Sequence, residues 1–167
     1  MGFSLMLLLF ARSLGADSFT LTPLPLIAHG LDNTGQIVGY GVAGETTYGL
    51  LYSQGRTSTL FVPGSSNTLL FGINNIGQIT GYYDAHTGGT HSFVYANGQF
   101  TSFDTPGNVA ATYAQGINDS GQVVGYRERY LRSGELQAFS TTAAPTEQSR
   151  YKVPARPTQK AWTMRAT

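Results

Sequence analysis

Residues 116–126 read GINDSGQVVGY, and two earlier stretches say nearly the same thing: GINNIGQITGY at 72–82 and GLDNTGQIVGY at 30–40. Their starts are separated by 42 and 44 residues. A second match keeps the same phase: YGLLYSQGRTSTLFVPG from Tyr48 lies beside HSFVYANGQFTSFDTPG from His91, 43 residues on. A third copy of that segment begins with QAFS at Gln137 and then stops matching. Similarity at such a period marks an array of supersecondary units.

Each period predicts two hairpins. Asn118, Asp119, Ser120 and Gly121 fit a type I turn followed by a residue of positive φ. Asn suits the first position because its side chain can bond the backbone two residues on. Gly suits the last because a left-handed conformation costs other residues about 1–2 kcal/mol. Asn33 to Gly35 and Asn74 to Gly77 repeat that chemistry. The second hairpin turns at Asn97-Gly98, a strong two-residue hairpin signal, and at Gln54-Gly55 one period earlier. The flanks alternate or run apolar over a few residues, as Phe93, Tyr95, Phe100 and Phe103 do, with no helical period. The predicted class is all-β: about three units of ~43 residues, each four short antiparallel strands, β-propeller-like and either partial or completed by a second chain.

Composition agrees. With 21 Gly, 10 Tyr and 9 Phe but only 11% charged residues, the chain suits short strands and tight turns. Ten basic against nine acidic residues leave a net charge of +1, which predicts no nucleic-acid partner. The absence of Cys excludes disulfides, thiolate metal sites and cysteine catalysis.

The units resemble the HAF-family repeat of bacterial extracellular proteins. The similarity is carried by Gly72, Ile73, Asn74, Gly77, Gln78, Gly81 and Tyr82, by Gly116, Ile117, Asn118, Gly121, Gln122, Gly125 and Tyr126, and by the HSFVYANG stretch at 91–98. It covers roughly Phe19 to Ser140, and the first copy departs from it at Leu31, Tyr48 and Gly49. The resemblance implies secretion and a propeller-like fold; it brings no activity with it.

Three units are few for a ring, since propellers usually close with about four to eight blades. SFTLTPLP from Ser18 resembles QFTSFDTPG from Gln99, so the processed chain is expected to start on the last strand of a blade. A homodimer would supply six blades; a fragment of a longer array is the other reading.

The three parts predicted are a signal peptide at 1–16, the repeat domain at 17–140 and a basic tail at 141–167. Phe3 to Ala11 is almost wholly apolar, too short to span a bilayer, and is followed by small residues ending at Gly15 and Ala16. No Lys or Arg precedes that run, and a buried N-terminal strand or helix is the competing reading. Export to the periplasm or the cell exterior is therefore expected, without a transmembrane span. Arg150, Lys152, Arg156, Lys160 and Arg165 hold half of the ten basic residues, in a tail with too few apolar side chains to offset ordering entropy. Disorder is expected there, from a solvated tail or a shifted reading frame.

Chemistry is sparse. The histidines His29, His86 and His91 share no helical metal spacing, although His86 and His91 flank a Gly-rich loop. Calcium takes about six to eight oxygens, several of them carboxylate; the turns offer only Asp32 and Asp119. No G-x-S-x-G frame, sialidase box, P-loop or dinucleotide fingerprint occurs, and no paired acids recur as a glycosidase needs. No catalytic residue, metal or cofactor is assigned. The segments linking the hairpins vary most: GVAGETT from Gly41, YDAHTGGT from Tyr83 and RERYLRSGE from Arg127. Variable loops on a regular scaffold are where binding usually lives. Tyr83, Asp84, His86, Arg127, Arg129, Tyr130 and Arg132 are the candidate ligand-binding residues, mixing aromatic faces with charge. Tyr40, Tyr82 and Tyr126 recur at equal positions and are read as packing. The expected function is a secreted, non-enzymatic module binding a surface polysaccharide or protein; a propeller-type glycan hydrolase and an inactive fragment are the alternatives.

Overall fold

The computed structural model describes residues 23–107, 109–129 and 136–145. The signal-like segment, the start of the expected first strand and the tail beyond 145 lie outside the described residues.

Eleven strands follow one another without a helix among the described residues. β1 (Ile27–Leu31), β2 (Ile37–Ala43), β3 (Thr46–Ser53) and β4 (Arg56–Leu60) form a four-stranded antiparallel meander. β5 (Ser65–Ile73), β6 (Ile79–Ala85), β7 (Thr90–Ala96) and β8 (Gln99–Phe103) form a second. β9 (Val109–Ile117), β10 (Val123–Arg129) and β11 (Leu136–Ser140) form a third, with three strands among the described residues.

The three similar stretches occupy the first hairpin of each meander. Gly35, Gly77 and Gly121 donate their N–H to the carbonyls of Asp32, Asn74 and Asn118, and their φ values are +83°, +79° and +74°. That is the expected turn, closed by a left-handed residue. One side-chain oxygen organises each turn. Asn118 Oδ1 accepts from the N–H groups of Ser120 (3.1 Å) and Gln122 (2.9 Å), and Asn74 Oδ1 from those of Ile76 (3.3 Å) and Gln78 (2.8 Å). The amide groups then donate to Gln122 Oε1 and Gln78 Oε1, both at 2.8 Å, which explains why Gln follows the glycine. Asp32 accepts from the Thr34 and Gln36 N–H groups in the same way, but has no amide to donate. The Thr34 hydroxyl binds its carboxylate instead, and Gln36 turns to Ser53 Oγ at 3.1 Å. Partial burial of Asp32 opposes its charge, but the hydrogen bonds from Gln36, Thr34 and Gly35 prevail and hold its carboxyl below the ordinary 3.8.

The glycine before each motif tyrosine has a different cause. The strand opposite carries a β-bulge at the same place in all three meanders, the extra residue being His29, Phe71 or Gln115. A bulge bends its strand, and here it drives a backbone carbonyl onto the neighbour. A Cβ at Gly39, Gly81 or Gly125 would collide with the carbonyl oxygen of Ile27, Leu69 or Tyr113. The second hairpins turn at Gln54-Gly55 and Asn97-Gly98 with φ of +50° and +79°, and +52° and +79°. Two successive positive φ values are those of the type I′ turn that matches strand twist.

The meanders pack face to face. One core joins Val38 of the first to Leu70, Ile73, Ile79 and Phe93 of the second; another joins Val94 and Phe103 of the second to Ala114 and Val123 of the third. Size is traded across these interfaces. Gly49 leaves room for Leu70, whose Cγ would lie 2.7 Å from a Cβ there. One interface later Ser92 and Ala114 stand in those places, and Ser92 Oγ donates to the Thr112 carbonyl while accepting from the Ala114 N–H, both at 2.9 Å. The connections are pinned alike: the Val62 and Thr105 N–H groups donate to the hydroxyls of Thr68 (3.0 Å) and Thr112 (3.2 Å). Aromatic rings form a column across all three meanders, His29–Phe71–Tyr82–Tyr113–Tyr126, with centroids 4.3–5.1 Å apart, and Tyr40 stacks on His29. Burial first, then the neighbouring tyrosines and Asp84, pushes the Tyr82 phenol up to about 12. The motif tyrosines are packing residues.

The sheets are less separate than the sequence predicts. β7 and β9 meet in one parallel bridge, Thr90 to Ala111, so the second and third meanders share a mixed sheet. At the corresponding place in the first interface Asn67 Oδ1 accepts the Thr47 N–H at 2.8 Å, and a side chain stands where a backbone bridge would be. No strand of the first meander pairs with the third and no core cluster joins the two, so the described residues do not close a ring.

Two glycine substitutions separate the constraints. Gly81→Ala, which forces the bulge to move, is expected to destabilise the fold by about 3 kcal/mol. Gly77→Ala, with open space around its Cβ but φ of +79°, is expected to cost only about 1–2 kcal/mol. Urea unfolding of both variants measures the difference.

Candidate functional site

The type I′ turn at Asn97-Gly98 sets β7 against β8 in the register Ser92–Phe103, Phe93–Ser102 and Tyr95–Phe100. β6 lies on the other side of β7, with Tyr83 opposite His91. Alternation of side chains then places Tyr83, His91, Phe93, Phe100, Ser102 and Asp104 on one face of the second meander. Phe93 and Phe100 pack toward the first meander. Beyond them the face opens into a cleft of about 440 Å³, lined by Val62, Pro63, Tyr83, His91, Phe100, Ser102, Phe103 and Asp104. Its volume is in the range of small-molecule sites.

The polar groups in it are organised. His91 Nδ1 lies 2.8 Å from Asp104 Oδ2, the sole ion pair among the described residues. A carboxylate can only accept, so the pairing places the proton on Nδ1 and does not involve Nε2. The Tyr83 ring lies 5.6 Å from the imidazole, and its hydroxyl donates to Ser102 Oγ at 3.1 Å. The hydrogen bond to Asp104 raises the His91 pKa above 6.5; burial opposes the rise without cancelling it, and the carboxylate's charge adds to it.

The corresponding positions of the other meanders carry no such cleft chemistry. Gly41 and Tyr48 oppose one another where Tyr83 and His91 do, and a Cβ on Gly41 would lie 3.0 Å from the Tyr48 ring. In the third meander the pair is Arg127 and Gln137. There the guanidinium donates to the Pro106 carbonyl at 2.6 Å and to Gln137 Oε1 at 3.0 Å, bridging the strand to the incoming connection. The His–Asp pair is peculiar to the second meander.

The residues singled out from the sequence separate. Tyr83 lines the cleft. Asp84 is on the opposite face of β6, where it accepts from the Asn67 amide (3.1 Å) and the Thr90 hydroxyl (2.7 Å). His86 is exposed at the β6–β7 turn, its N–H directed to the Gly64 carbonyl at 3.4 Å. Arg127 is committed to the contacts just described, Arg129 ends β10 opposite Val109, and Tyr130 and Arg132 lie outside the described residues. Strands therefore run further into the variable segments than composition implied, to Ala85 and Arg129. No group of three or more His, Asp or Glu side chains that could hold a metal occurs among the described residues. Nor is any helix among them long and apolar enough to cross a membrane.

Comparison with known proteins returns no match. No family model, curated protein or solved structure is similar enough to place the chain. The site is thus read from its own geometry. The sequence search passed over Asp104, Ser102 and Phe100. A signal existed: once Asn97-Gly98 is a two-residue turn, counting outward pairs Phe100 with Tyr95 and carries Asp104 to His91.

The His91 titration tests the pair. By NMR its midpoint is expected above 6.5, and Asp104→Asn is expected to return it toward that value. Because the folded value is the raised one, the pair's contribution to stability is full below 6.5 and is lost as pH rises through the folded midpoint.

Proposed function

We propose that this protein is an exported, non-enzymatic β-repeat module of propeller-like build that binds an extracellular glycan in the cleft beside His91. The observation that carries the reading is the cleft's composition. Tyr83 and Phe100 offer aromatic surface, while Ser102, Asp104 and the His91 ring offer hydrogen-bonding groups at its edges. Flat apolar faces bordered by fixed polar groups suit a sugar ring, which has a face of C–H bonds and a rim of hydroxyls. The propeller-like build and the export are supported by the sequence period, the resemblance to HAF-family repeats and the apolar run at Phe3–Ala11.

Hydrolysis is disfavoured on geometry. The usual mechanism needs two carboxyl groups about 5–10 Å apart across the scissile bond. Among the described residues Asp104 is the one carboxylate lining the cleft, it is tied to His91, and Asp84 faces the other way.

Titration of the labelled protein with a panel of soluble oligosaccharides tests the proposal. Amide shifts are expected to cluster at Tyr83, His91, Phe100, Ser102 and Asp104, with no release of reducing ends. Tyr83→Ala is expected to weaken binding roughly tenfold, about 1.4 kcal/mol. Shifts confined to other surfaces overturn the site, and reducing ends that disappear with Asp104→Asn establish the hydrolase instead.

A further inference from the structure

The two internal interfaces are built alike, and each end of the chain's three meanders shows one half of the same interface uncovered. On the leading face of the first meander, a Cβ at Gly30 would lie 2.8 Å from the Phe71 carbonyl and 3.2 Å from the Ile73 nitrogen of the second. On the second, a Cβ at Gly72 would lie 2.9 Å from Gly116 Cα and 3.1 Å from the Ile117 nitrogen of the third. At Gly116, the corresponding glycine of the third, the Val124 side chain of its own meander is the one neighbour within reach among the described residues. Val38 and Thr80 stand beside the first two glycines and are 0% exposed, whereas Val124 in that place is 50% exposed. A groove of about 480 Å³ runs along this face past Ile117 and Ser140.

The trailing face shows the reverse. Ile73, which the preceding meander covers, is 8% exposed; Leu31, its counterpart in the first meander, is 67% exposed. The turns repeat the polarity. The Asn33 N–H donates to Asn75 Oδ1 (2.9 Å), and the Asn75 N–H donates to Asp119 Oδ1 (2.8 Å). Asn74 Nδ2 also reaches the Asn118 carbonyl at 2.8 Å. Among the described residues this ladder leaves the Asp119 N–H without an acceptor at one end and the Asn33 side chain without a donor at the other.

We propose that the leading face of the third meander docks on the trailing face of the first meander of a second copy, and reciprocally, so that two chains close a ring of six meanders. The occupant is argued from continuity: what the Gly116–Val124 face lacks is a bulged strand and an Asx turn, and the first meander of another copy offers both with its own trailing face open. Such head-to-tail contacts close when the rotation per step allows it and otherwise extend without limit. The inference stands apart from the cleft and its ligand.

Light scattering after size exclusion of the full chain is expected to give twice the monomer mass. Val124→Lys and Leu31→Lys alter side chains that are exposed in the single chain, so each is expected to leave the circular dichroism unchanged and to halve the mass. Mixing the two variants is expected to restore part of the dimer, because one of the two interfaces is then intact in the mixed pair. A chain that stays monomeric at all soluble concentrations overturns the proposal, as does a mass that climbs without limit. So does a dimer that Val124→Lys abolishes and Leu31→Lys leaves intact, which would mean that like faces meet. A wild-type monomer whose Val124 and Leu31 amides are both protected from exchange would assign the faces to other segments of the same chain, and would equally refute the second copy.

Discussion

One side-chain oxygen per meander holds the first hairpin in shape. Asp32, Asn74 and Asn118 each use a single Oδ1 to bind two backbone N–H groups that the tight turn leaves unpaired. Without that acceptor, two backbone N–H groups in each turn would lose the protein partner that fixes the turn's geometry. Fixing the turn fixes the register of the strands that leave it, and a slip of one residue would reverse every side chain between core and solvent. The left-handed glycine and the following glutamine follow from this one arrangement. So does the ladder of turn-to-turn bonds, because an ordered turn presents its second residue to the neighbouring meander.

Close approach is the second consequence. The bulges at His29, Phe71 and Gln115 push backbone toward Gly39, Gly81 and Gly125, so each motif carries a glycine that no turn requires. Two of the three bulged residues, His29 and Phe71, feed the aromatic column. The meanders accordingly meet through tightly matched small and large residues. Gly49 against Leu70 and Ser92 against Ala114 are two solutions of one packing problem, the second replacing lost apolar volume with a buried hydroxyl that satisfies two backbone groups.

The cleft grows from a position that this packing leaves free to vary. The residues opposed across the second and third strands of each meander at this level are Gly41 and Tyr48, Tyr83 and His91, and Arg127 and Gln137. The second and third pairs sit beside the Pro63-Gly64 and Pro106-Gly107 connections, and each of the three makes a different use of the space. A tyrosine ring lies over a glycine in the first, and a guanidinium bridges to a carbonyl in the third. In the second the His91–Asp104 pair lines the cleft.

The sequence alone determined the all-β class, the turns at Asn74–Gly77, Asn118–Gly121 and Asn97-Gly98, and the packing role of Tyr40, Tyr82 and Tyr126. These are legible because they rest on local chemistry: a positive φ, an Asx oxygen two residues from its donor, an alternation of period two. The placement of the candidate site was not. Asp84 is adjacent to Tyr83 in the chain yet serves the opposite face, since neighbours in a strand point apart, and Asp104 is 13 residues from the imidazole it binds. The expected separation of the four-stranded units also failed, where Ala111 lets the second and third meanders share a sheet and Asn67 in the corresponding place keeps the other pair bridged by a side chain. Contacts between meanders depend on residues more than 40 positions apart, such as Asn75 with Asp119. Only the tertiary structure decides those, because the distance between two meanders is set by the sum of all the side chains packed between them and by no single motif.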